Sequence, residues 1–315
     1  MFVSKKCALY CSVAAIALAS MGSASAQQAP STSSQASGDV ETVIVTASRR
    51  SESVQNVGGG LTALTSADLS QMHATSFTDF ASTVPSLSYA SGGATTDLIA
   101  IRGVTSGTEQ KGSAVGIYMD DVPLGSSVQF GIGADAFNLN LFDMDRVEVL
   151  DGPQGTLYGA DSLGGAIKYV SAKPELGEFN ARAEVEGSST EHGSLNDGLR
   201  LMANVPLGDD AALRVDGIQQ FDSGYTQDPI YGRKNVGAGR TFGGRASLYA
   251  QITPDLDVRL TVMSQKDNAS GYDVVLKDFT THQPVLGNYD QAYALSQPSS
   301  KKLDLYSAVA NWNLH

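Results

Sequence analysis

Side chains able to do chemistry are few and scattered in this sequence. The four histidines, His73, His192, His282 and His315, stand apart, with no HExxH or comparable spacing that would bring two of them to one metal. Cys7 and Cys11 are the only cysteines, and no G-x-S-x-G elbow presents a nucleophilic serine. Asp120-Asp121 sets two carboxylates side by side. They are flanked by Val115-Gly116-Ile117-Tyr118-Met119 and Val122-Pro123-Leu124, which makes a hairpin turn a better reading than a metal pair. Asp143 and Asp145 read as charges at a helix end, because Leu141 to Arg146 has the look of one. No catalytic constellation, metal site or cofactor site emerges, so the chain is not expected to be an enzyme.

The densest motif is structural in character. It runs Arg146-Val147-Glu148-Val149-Leu150-Asp151-Gly152-Pro153-Gln154-Gly155-Thr156-Leu157-Tyr158-Gly159 and continues to Ser162-Leu163-Gly164-Gly165-Ala166-Ile167. A phosphate loop is excluded, since Gly165 stands where Gly159-x4-Gly164 would need a lysine. The glycines instead permit sharp turns and close backbone approach. A second patterned piece, Val40-Glu41-Thr42-Val43-Ile44-Val45-Thr46-Ala47, is a β-branched island after a Gln/Ser/Ala/Thr/Pro stretch from Gln27 to Asp39. That stretch holds too little apolar surface to offset its ordering entropy and reads as a mobile tether. The island is either the first strand of the next domain or an extended peptide that joins a partner's sheet edge.

The elements that must position these pieces follow from periodicity. Ser66 can cap a helix starting at Ala67. Phe77, Phe80, Ala81 and Val84 make a helical face that stops before Pro85. Leu98 to Val104 and Arg146 to Leu150 read as strands, which makes residues 50–174 a compact α/β domain. After residue 178 the pattern has period two. Apolar residues alternate with polar ones over Phe179–Val185, Leu199–Val205, Leu213–Val215, Phe242–Ile252, Leu256–Val262 and Ala308–Leu314. The connections between these six strands alternate short (206–211, 253–255) with longer (187–196, 222–240, 264–302). Such asymmetry fits an outer-membrane barrel with its polar face turned to the lumen.

Composition sets the compartment and excludes some partners. The chain has 315 residues, enough for about two ordinary domains. Its formal charge of −12 argues against a nucleic-acid partner, whose phosphates need a basic surface. Lys5 and Lys6, an apolar run from Cys7 to Met21, and Ala24-Ser25-Ala26 make a signal peptide cleaved after Ala26. Both cysteines leave with it, so the mature chain has no disulfide. No later stretch has the ~18 apolar residues of a membrane helix, so a membrane role requires strands or a peripheral surface.

The 146–167 motif closely resembles the plug signature of TonB-dependent outer-membrane receptors. Three further pieces resemble the family in the same order: the TonB-box-like Glu41, Thr42, Val43, Ile44, Val45, Thr46 and Ala47; Ile101-Arg102-Gly103-Val104; and Val115–Leu124. The chain departs from the family at Asp151 and Ala160, where basic residues are usual. The resemblance implies a signal peptide at 1–26, a disordered tether with the TonB box at 27–49, and an α/β plug at 50–174. Residues 175–315 would be the first strands, about six, of an antiparallel transmembrane β-barrel left incomplete. It implies active uptake of a scarce nutrient, a ferric siderophore above all. Energy would come from TonB with ExbB–ExbD, with outer-membrane lipid around the strands. The structural motif residues are Arg146, Glu148, Gly152, Pro153, Gly155, Tyr158, Gly159, Gly164 and Gly165. Ligand-facing plug loops are expected at Arg102, Thr105, Glu109, Leu124, Gly125, Ser126, Phe137 and Phe142. Plugged transporters have about 22 strands. The chain is therefore expected to be a truncated gene product or an incomplete record of a longer one, unable to transport by itself. The alternative readings are a non-transporting outer-membrane adhesin and a periplasmic plug-like binding protein.

Overall fold

Two sheets face each other across a polar interface. The computed structural model describes residues 44–46, 52–91, 97–105, 114–124, 139–159 and 162–314, all within one compact unit, Thr42–His315. In chain order the first part contains β1 (Ile44–Val45), β2 (Glu52–Ser53), β3 (Leu61–Thr65), α1 (Ser66–Gln71) and α2 (Phe77–Ala81). β4 (Leu87–Ser91), β5 (Asp97–Ile101), β6 (Val115–Met119), β7 (Val122–Pro123), β8 (Met144–Asp151), α3 (Gly155–Tyr158) and β9 (Gly165–Ser171) complete it. Its main sheet has the order β3-β8-β9-β6-β7, with β6 and β9 parallel and the other pairs antiparallel.

Local chemistry places these elements. α1 starts one residue earlier than the expected Ser66 cap. Thr65 and Asp68 form a reciprocal capping box, Asp68 N–H donating to Thr65 Oγ1 (3.2 Å) and Thr65 N–H to Asp68 Oδ2 (2.8 Å). α2 ends at Ala81 and not at Val84, because the Thr83 hydroxyl and N–H both take the Phe80 carbonyl and loosen the last turn. Val84 is nevertheless buried, as its period predicts. The strand expected to reach Val104 ends at Ile101, where Arg102 and Gly103 both adopt positive φ and turn the chain. Asp120 and Asp121 do form the turn between β6 and β7. Leu141 to Arg146 is not a helix end: it is a turn at Phe142-Asp143 that feeds β8. The core between this sheet and α2 is aromatic and aliphatic, with Phe77, Phe80 and Tyr169 packed edge to face among Ile101, Met119 and Ile167.

The second part is one antiparallel meander. It contains β10 (Asn180–Ser189), β11 (Leu195–Pro206), β12 (Ala211–Asp222), a small hairpin of β13 (Thr226–Asp228) and β14 (Arg233–Val236), β15 (Gly239–Thr253), β16 (Leu256–Ala269) and β17 (Ser299–Trp312). The large sheet has the order β10-β11-β12-β15-β16-β17. It is open: among the described residues neither β10 nor β17 pairs on its outer edge. Short turns at 207–210 and 254–255 lie at one end, and the long connections 223–238 and 270–298 at the other.

Register explains the alternation seen in the sequence. One cross-strand row holds Ala181, Ala203, Val215, Ala246, Val262 and Tyr306, and the next on the same face Val205, Leu213, Leu248, Leu260 and Ala308. This apolar face carries exposed Val262, Leu260 and Tyr306, and on β10 Val185 is 83% exposed. The row between, Asn204-Arg214-Ser247-Thr261, is polar yet buried, because that face is turned to the first sheet. An exposed apolar band over a buried polar lining is the inverse of a soluble sheet and the arrangement of a barrel wall in lipid. Met263 and Leu305 of the wall reach into the core of the first part. The fold is thus an α/β plug followed by the first strands of an antiparallel transmembrane barrel, incomplete as a ring.

Candidate functional site

The β-branched island is seated on the plug. Ile44 pairs with Ser53 and Val45 with Glu52, so β1 borrows an edge from the plug's own chain. Val45 is fully buried while Ile44 is 49% exposed. Thr46 closes the seat. Its N–H donates to Glu148 Oε1 (2.9 Å), and its hydroxyl accepts from Lys168 Nζ (3.1 Å) and Arg146 Nη2 (3.2 Å). Arg146 Nε also donates to Glu148 (2.7 Å), and Lys168 Nζ to Asp121 (3.0 Å). Ile44–Thr46 thus rests on the plug as a short strand, where buried charges on neighbouring β8 and β9 take the Thr46 polar atoms as partners. Glu41, Thr42, Val43 and Ala47 lie outside the described residues.

The glycine motif joins β8 to β9. Gly152 N–H donates to the Gly164 carbonyl (2.9 Å), and Asp151 pairs with Gly165. A Cβ on Gly165 would stand 2.2 Å from the Leu150 carbonyl oxygen, so no side chain fits there. Pro153 follows the turn, Gly155 opens α3, and Gly159 ends it. Tyr158 packs edge to face on Tyr118 (4.8 Å), whose hydroxyl donates to the Tyr158 carbonyl. Asp151, where the chain departs from the family's usual basic residue, pairs inside the plug with Arg102 (3.7 Å).

The expected ligand loops separate. Arg102 is 56% exposed at its side chain and remains a surface group. Thr105 follows the turn of Arg102 and Gly103. Leu124 packs on the plug core, its N–H donating to the Ile117 carbonyl (2.8 Å). Glu109, Gly125, Ser126 and Phe137 fall outside the described residues. Phe142 is buried between plug and wall against Met202 and Ile218, with the Arg182 guanidinium 4.6 Å over its ring. It also lines the cavity between α1 and β10.

Asp143, read from sequence as a helix-end charge, is the centre of the plug–wall contact. It sits at φ 59° in the turn before β8. Arg214 on β12 grips its carboxylate through Nε (2.8 Å) and Nη2 (2.7 Å). Arg245 on β15 donates to its carbonyl (2.7 Å) and carboxylate (3.2 Å) and pairs with Asp216 (2.9 Å). Asp120 adds a second tie, to Arg259 on β16 (3.2 Å), and Asn140 N–H donates to Gln265 (3.2 Å). Sequence reasoning placed these arginines on a polar face. It missed their partners because pairing across two sheets leaves no mark in local spacing.

Toward the end with the long connections, plug and wall part around a cavity of about 500 Å³. Among the described residues, Asp79, Glu186, Asp222, Asp267 and Asp273 line it with a single cation, Arg240. Burial pushes the Asp273 carboxyl up to about 6. A second cavity of about 560 Å³ lies between α1 and β10 and shares Thr75 and Glu186 with the first.

Comparisons agree with this geometry. The family profile described as TonB-dependent Receptor Plug Domain matches residues 53–166. The pesticin receptor of Yersinia pestis is 30% identical over 228 residues, which span 69% of this chain and 30% of that protein. The iron-regulated outer membrane virulence protein of Vibrio cholerae is 28% identical over 185 residues, 56% of this chain and 27% of that one. The chain thus spans less than a third of these relatives. Among solved structures, the ferric yersiniabactin uptake receptor FyuA of Yersinia pestis superposes with a TM-score of 0.66 at 23% identity, covering 81% of this chain and 38% of that one. The ferripyoverdine receptor of Pseudomonas aeruginosa superposes at 0.64 with 18% identity, covering 84% and 34%. These last two likenesses speak to fold alone.

Proposed function

We propose that this chain, which belongs to the TonB-dependent receptor family, forms the plug and first wall strands of an outer-membrane receptor that takes up a ferric siderophore in a TonB-driven step. The observation that carries the reading is the seat of Ile44–Thr46. A short strand with one exposed residue, held by a borrowed edge and a few polar contacts, suits a segment that is handed to another sheet. TonB, driven by ExbB–ExbD, supplies that sheet, and the box pairs with it as an added strand. Pulling on Thr46 loads β8 and β9 directly, through Glu148 and Lys168. The Asp143 and Asp120 ties keep the plug against β12, β15 and β16. Iron-related neighbours and the wide cavity between plug and wall support a chelate as cargo.

Signal-peptide cleavage near Ala26, a tether at 27–49, a plug at 50–174 and a wall from 175 complete the proposal. The test uses the full-length receptor. Ile44→Pro removes a backbone donor and distorts the strand, so energised uptake should be lost while ligand binding persists. Normal uptake by this variant would refute the assignment.

A further inference from the structure

Register decides which side chains of the wall face away from the plug, and it gathers cations at one corner of that outward face. Lys266 on β16 lies directly opposite Lys302 on β17 and, on its other side, opposite Phe242 on β15. Lys266 is exposed and has no ion pair among the described residues, and Phe242 is exposed beside it. Lys302 pairs with Asp304 (2.8 Å), whose other carboxylate oxygen accepts from the Ser264 hydroxyl (2.7 Å). One row further out, Arg240 stands at the lip of the inner cavity with its guanidinium 5.3 Å over the Phe221 ring. The outward positions of β10, β11 and β12 carry no cation and, at Asp197, an acid. The same face of β16 and β17 ends near the short turns in Leu256 and Trp312. Like charges directly opposite one another destabilise an antiparallel pair, and Asp304 offsets only one of the two lysines. Below them the face turns apolar. Tyr306, 76% exposed, lies four residues down β17 from Lys302, roughly 13 Å along the strand, with Val262 opposite it and Leu260 beyond.

We infer that this corner binds a phosphorylated lipid of the outer leaflet, its phosphate held between Lys266 and Lys302 and its acyl chains laid on Val262, Tyr306 and Leu260. Ammonium groups make charge-assisted contacts with phosphate oxygens, and an anion between the two lysines relieves their repulsion. Their aliphatic stems cover the apolar face while the charged heads reach the headgroup level. A free phosphate meets only the upper half of the site, whereas a lipid meets both halves. The leaflet follows from the long connections, which lie at this end of the wall and mark the outer side of a barrel. In that respect the inference rests on the outer-membrane placement in the uptake reading. The site is local to β15–β17, not a belt around the wall. A lipid bound there braces β15 and β16, whose inner faces hold the plug through Arg245 and Arg259.

The test titrates the full-length receptor, extracted from outer membranes in non-ionic detergent with EDTA, with bisphosphorylated lipid A, read by native mass spectrometry. Lipid A stripped of its phosphates and inorganic phosphate serve as comparison probes. The phosphorylated lipid should bind saturably, the stripped lipid far more weakly, and inorganic phosphate should not displace it at equal concentration. Lys266→Gln should weaken binding about tenfold, the loss of one charge-assisted contact, and adding Lys302→Gln should weaken it further. Asp304→Asn, which frees Lys302, should tighten it. Lys277→Gln, the same charge loss on the outer connection, should leave it unaltered. Equal binding of the stripped lipid, displacement by inorganic phosphate, full affinity in the double variant or weaker binding in Asp304→Asn would each overturn the inference and leave the uptake reading standing. A receptor absent from the outer-membrane fraction would overturn both.

Discussion

Asp143 shows how much a single side chain decides here. Its carboxylate is buried with two arginines from different wall strands, and a buried charge left without its partner is strongly destabilising. Asp143→Asn should therefore cost about 3–5 kcal/mol, read as a lowered thermal unfolding midpoint and faster proteolysis of the plug. Arg214 would keep only the exposed Glu175 (3.4 Å), whereas Arg245 retains the buried Asp216 (2.9 Å). Gly165 is the packing counterpart. Gly165→Ala must push β8 and β9 apart at Leu150, an overpacking expected to cost roughly 1–3 kcal/mol in denaturant unfolding. Of these two residues, the glycine was legible from the motif. The aspartate was not, because its partners lie far along the chain at 214 and 245.

At the scale of elements, the outer connections carry a titrating anchor. Asp273 lies in 270–298, packed against the backbone of Gly237, whose lack of a Cβ leaves room for the carboxylate. Burial raises its carboxyl from an ordinary 3.8 to about 6. A raised acid is disfavoured when charged, so its seat is firmest below the ordinary value. The stabilisation is lost as pH rises through about 6. Hydrogen exchange in 270–298, corrected for intrinsic rate, should show more opening at pH 7.5 than at pH 5, and Asp273→Asn should remove that difference. An unchanged profile in the variant would assign the opening to another group. The strands themselves were readable from period two, because one face meets lipid and the other meets the plug. Their lengths were underestimated, since β15 and β16 run on past the apolar band into polar ends such as Lys266 and Asp267. The short elements were displaced by one to three residues wherever a side chain took a backbone group, as Thr65 and Thr83 do.

For the whole molecule, plug and wall make one unit, tied at Asp143 and Asp120 to β12, β15 and β16 and packed at Phe142 against β11 and β10. The proposed TonB-driven step places two demands on Ile44–Thr46: to rest on the plug, as it does here, and to be handed to a partner. The resting contacts compete with any external strand, so weakening them should favour the partner. The most direct measurement is the affinity of the purified TonB periplasmic domain for this chain, compared with the Lys168→Ala variant. Loss of the Lys168 contact to the Thr46 hydroxyl should tighten binding several-fold, with a matching rise in exchange at the Thr46 amide. No binding by either protein, or an affinity that is unchanged or weakened in Lys168→Ala, would contradict the account.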